Sequence, residues 1–117
     1  MLGRTTLYSN FTPAEHANFL GAKVVAHATA LLDGRHDAAQ ALANARAVTC
    51  ELVAAPDDPA ARAILDPARL LVVALMGAAQ SDAGSARQDR WMHVMGALVE
   101  LVRSEANELK QSGGYAP

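Results

Sequence analysis

Three groups of side chains in this 117-residue chain have the types and spacing from which chemistry is built. His16, Lys23 and His27 fall at i, i+7 and i+11, along one edge of a helix. Such a line suggests an anion or metal site. Eleven residues at a helical rise separate the two histidines by about 16 Å, too far to share one ion. No zinc-type ligand spacing accompanies them, so they are read as a polar boundary between core and solvent. Asp89, His93 and Glu100 form the second group. An Asp–His pair at i, i+4 suits a surface metal or a proton relay, but acid–base work needs a desolvated pocket, and this face points away from the core. It is read as a solvated salt-bridge face. The third candidate is Cys50, which lacks a positioned base beside it in the sequence and is read as a small buried hydrophobe.

Other reactive classes fail on spacing. A di-iron bundle carries Glu-x-x-His twice on inward faces, and here no glutamate has a histidine three residues on. Glycine-rich phosphate loops are missing: Gly113-Gly114 lies near the end of the chain, and Gly77 and Gly96 fall within helical patterns. Eight arginines are spread along the chain, and only Arg87 and Arg90 lie close together. With a net charge of −2 and a pI near 6.0, no concentrated basic face marks a nucleic-acid binder. The expectation is therefore no catalytic residue, no metal, no cofactor and no nucleic-acid partner.

The elements that position these side chains read as helices throughout. Hydrophobic residues make up 51% of the chain, yet aromatics only 4%, and much of the apolar share is alanine. Alanine enters a helix without losing side-chain entropy, which favours helices over strands. The anchors of such a core are Phe19, Leu70, Leu75, Trp91 and Leu98. Helix starts are written in Thr12-Pro13-Ala14-Glu15 and in Asp37. Asp58-Pro59 and Asp66-Pro67 each pair a capping aspartate with a first-turn proline, and predict two successive helices, the first ending near Leu65. Ser85-Ala86-Arg87-Gln88 opens the last helix, which runs to about Gln111. The predicted fold is all-α, a compact bundle of four to five helices over residues 13–111. An N-terminal arm over residues 1–12 and a flexible tail over 112–117 complete the division.

One cysteine forms no internal disulfide, the first twelve residues carry no apolar signal core, and the longest apolar run, Leu70–Ala79, is about ten residues against the roughly 20 a bilayer needs. A cytoplasmic chain without membrane contact is expected.

Two helices have more apolar surface than a simple bundle can bury. The Pro67–Gln80 segment is apolar in every direction around its axis, which predicts burial by neighbouring elements or by a second chain. On the first helix, Phe19, Ala22, Ala26 and Ala30 make a strip opposite the main core line. These features predict a small protein-interaction module, a regulator, adaptor, chaperone or immunity-type protein, that binds a partner or itself as a homodimer through that strip. The alternative is a small-molecule or cofactor-binding bundle, with catalysis left open, whose pocket is lined by Met76, Trp91, Met92 and Met95.

Overall fold

Each helix begins where the sequence offers an oxygen to its unsatisfied first N–H groups. The computed structural model describes residues 11–112. Thr12 accepts from the Glu15 N–H at 3.1 Å while the Glu15 carboxylate accepts from the Thr12 N–H at 2.9 Å, opening α1 over Pro13–Leu32. Asp37 and Gln40 repeat that exchange at the start of α2, Ala38–Val53. Asp58 accepts from the N–H groups of Ala60 and Ala61 and opens α3, Pro59–Gln80. Ser85 caps α4, Ala86–Gln111. Gly34 (φ +75°) and Gly84 (φ +77°) take the left-handed conformation that ends α1 and turns the chain between α3 and α4.

The expected break at Asp66-Pro67 does not occur. α3 runs through it as one 22-residue helix with Pro67 inside. A proline in a helix interior costs about 3 kcal/mol through its lost N–H and its clash with the preceding turn. Ile64 and Leu65 before it, and Ala68, Leu71 and Val72 after it, are all buried in the same core, so one continuous helix buries both halves. Asp66 is left without a capping role and pairs with Arg69 at 3.3 Å.

The four helices form an all-α bundle in which α1 and α3 each touch the other three, while α2 and α4 take opposite flanks of that pair. Leu20, Val24, Ile64, Leu65, Leu71, Leu75, Met95 and Val102 fill the core. Gly21 lets α1 approach closely, since a methyl added there would lie 2.7 Å from Ile64 Cγ2. Gly77 of α3 does the same for α4, because the Trp91 ring occupies the space its side chain would take. The arm and tail lie outside the described residues apart from Phe11, Thr12 and Ser112, and Ser112 closes α4.

Several burial expectations are corrected. Leu70 is not an anchor, and the apolar stretch of α3 is not buried all round: among the described residues no further helix covers its outer side. Cys50 is exposed: the core line of α2 is Ala41, Ala45, Val48 and Leu52, and Cys50 lies off it. By length and composition α3 suffices to cross a membrane, with a mean hydropathy of 1.4 over 18 residues, whereas counting only the unbroken apolar run made it too short. Half of that window is buried against the other helices.

Candidate interaction face

The described polar groups mostly tie helices together at their edges. Lys23 pairs with Glu51 of α2 at 2.6 Å and stands 5.7 Å from the centre of the Phe19 ring. It thus ties α1 to α2 on the edge where His27 lies. The His27 imidazole is held below its ordinary value of 6.5 by burial first, then by the charges of Lys23 and His36, with Glu51 opposing. His93 and Asp89 are exposed on the outside of α4. Among the described residues no cluster of three or more His, Cys, Asp or Glu is placed to hold a metal ion.

The apolar surface is more informative. Five large hydrophobic side chains are exposed on α3 and the two helices flanking it: Leu70 (58%), Val73 (57%), Val53 (80%), and Val94 and Leu101 (44% each). Leu70, Val73 and Gly77 share one stripe of α3 at i, i+3 and i+7; Trp91, Val94, Leu98 and Leu101 make the matching stripe of α4. Trp91 lies against Gly77 and the two helices run antiparallel through a short turn, so seven residues along each place Leu70 level with Leu98. The stripes therefore open to the same side. Towards α2 the surface continues into a groove of about 270 Å³, lined by Thr49, Leu52, Val53, Val72, Val73 and Met76 and closed at one end by Arg69. Arg69 donates to the Leu52 carbonyl at 3.3 Å, which fixes that end.

The strip expected on α1 is only partly present. Phe19 (39%), Ala22 and Ala26 are exposed. Ala30 is buried, because the α1–α2 loop folds back over it: the N–H groups of Arg35 and His36 both donate to the Ala30 carbonyl. Phe19 also rests edge-on against Phe11, with ring centres 6.0 Å apart.

The expected ligand pocket is not assembled. Met95 is fully buried in the core, the Trp91 ring lies on Gly77, and Met76 lines the α2–α3 groove instead. Burial against the core explains both the methionine spacing and the tryptophan. The exposed face of α3 and α4 was signalled by the all-round apolar character of α3, but its α4 half was not singled out, since Val94 and Leu101 look like a widened core stripe.

No family model matches the chain, and neither a curated protein nor a solved structure matches it.

Proposed function

We propose that this protein is a helical interaction module that works by binding a protein chain, a partner or a second copy of itself, through the outer face of α3 and α4. The observation that carries the reading is the grouping of Leu70, Val73, Val94 and Leu101 on adjoining stripes, with Val53 continuing it. Contiguous exposed apolar side chains of this size mark contact surfaces in globular proteins more often than they occur by chance. The face contains no reactive or metal-ligating cluster, so recognition by shape and apolar burial is its natural chemistry.

Sedimentation velocity of the purified chain, with capture of tagged protein from its native cells, tests this. Leu70→Asp combined with Leu101→Asp should abolish association and leave the helical circular dichroism intact, since both residues are exposed. Phe19→Asp should leave association in place. Loss of association in Phe19→Asp alone would move the contact to α1, and a wild type that associates with nothing would refute the proposal.

A further inference from the structure

We propose that the occupant of this face is a second copy of the chain, packed with α4 antiparallel to its counterpart across a two-fold axis at Ala97–Leu98. This rests on the reading of the α3–α4 face as the contact surface and adds the partner and its orientation.

The argument comes from the order of side chains along the outer stripe of α4. Arg87 and Arg90 stand at its start, Val94, Ala97, Leu98 and Leu101 in its middle, and Glu105 and Glu108 near its end. Of these, Arg87, Arg90, Ala97 and Glu108 are exposed, Val94 and Leu101 are 44% exposed, and Leu98 and Glu105 are half-buried. Apart from the adjacent pair Ala97 and Leu98 at its middle, the stripe is spaced by threes and fours, as in the seam of two helices packed side by side.

About the midpoint between Ala97 and Leu98 the stripe is self-complementary. Reversing it sets Val94 on Leu101 of the other copy, Arg90 on Glu105 and Arg87 on Glu108. Each isologous contact occurs twice, as two-fold symmetry requires. A parallel arrangement would stack arginine on arginine and glutamate on glutamate.

The four charged residues are otherwise unemployed. None of Arg87, Arg90, Glu105 and Glu108 forms an ion pair among the described residues, a state they share with Arg46, Asp82 and Asp89, whereas Lys23, Arg35, Arg62, Arg69 and Arg103 are paired. The same two-fold axis passes beside α3 at the level of Leu70, so that exposed leucine is turned towards its own copy. Small Ala97 lies at the crossing, where two helices need an interaxial distance of about 8–10 Å.

Sedimentation equilibrium of the full chain provides the test. The wild type should be a dimer. Arg87→Glu with Arg90→Glu in one variant, and Glu105→Arg with Glu108→Arg in another, should each weaken dimerisation by at least about 100-fold, four ion pairs being replaced by repulsions. Mixing the two variants should restore a heterodimer, and combining all four reversals in one chain should restore the homodimer. Circular dichroism reports whether each variant keeps its helices. As a second measurement, Ala97→Cys in a Cys50→Ser background should cross-link rapidly to its own copy under mild oxidation.

A wild type that stays monomeric at about millimolar concentration, or variants that do not recover on mixing, would overturn the self-pairing. If a monomeric wild type captures a protein that Leu70→Asp with Leu101→Asp releases, the self-pairing fails and the face remains. A dimer indifferent to those aspartates and to all four reversals would overturn both.

Discussion

The outer faces of α1 and α3 lie on opposite sides of the bundle and solve the same problem differently. Both helices are central, each touching the other three, and each turns one side outward. On α1 that side carries the exposed alanines Ala22 and Ala26 beside Phe19, with Leu32 exposed at the helix end. Its groove towards α4, about 350 Å³, is edged by Asn18, Arg103, Asn107 and Lys110. On the other edge of α1, Lys23 pairs with Glu51 of α2. On α3 the outward residues are Leu70 and Val73, and the neighbouring helices add Val53, Val94 and Leu101. Burying alanine removes little area from water, so the α1 side has less to gain from a second chain. Burying a leucine or valine gains about 1.5–3 kcal/mol, so the α3 side has much to gain from a cover.

The sharpest way to break this comparison is to move one residue around α3. Leu71→Ala, in the core, should cost about 2–5 kcal/mol in urea unfolding, while the adjacent Leu70→Ala should cost less than about 1 kcal/mol in monomeric protein. Equal costs would mean that Leu70 is covered within the chain. Next in size is Gly77→Ala. It places a methyl against the Trp91 ring, and overpacking of this kind costs about 1–3 kcal/mol, set against a helix-propensity gain of up to about 1 kcal/mol. The single tryptophan should report its displacement as a shift in fluorescence. An unchanged spectrum would contradict the register that joins the α3 and α4 stripes.

On the α1 side the effects are smaller. Lys23→Gln removes a half-exposed ion pair and should cost no more than about 1 kcal/mol, an effect that fades with added salt. The smallest effect is that of His27. Because its folded value lies below 6.5, the unfolded chain takes up the proton first as pH falls. Its contribution is therefore intact above pH 6.5 and is lost as pH drops towards the folded value. His27→Gln should flatten that part of the stability–pH curve, and Lys23→Gln should raise the His27 value in an NMR titration.

The helix starts were legible because capping is local. Thr12, Asp37, Asp58 and Ser85 act through groups two or three residues away, and their oxygens are where the sequence places them. Ser85 is the partial exception: Gln88 returns its side chain to the Gly84 N–H and the Ala78 carbonyl rather than to Ser85. Pro67 was misread because Asp-Pro looks the same at a helix start and inside a helix. Only burial on both sides of it decides between the two. The run Leu70–Met76 is apolar in all directions, so no periodicity distinguishes exposed Leu70 from buried Leu71. Ala30 and Cys50 went wrong for a related reason, since a loop folding back and the angular limit of the α2 core are tertiary facts. The candidate face was visible as an excess of apolar surface and not as a location.

The most direct measurement replaces Leu70, and separately Phe19, with a photo-crosslinking side chain in the full-length protein in its native cells. The account predicts a discrete adduct of defined mass from position 70 and none from position 19. An adduct from position 19 alone, or from neither, would contradict the assignment of the α3–α4 face as the place where another chain sits.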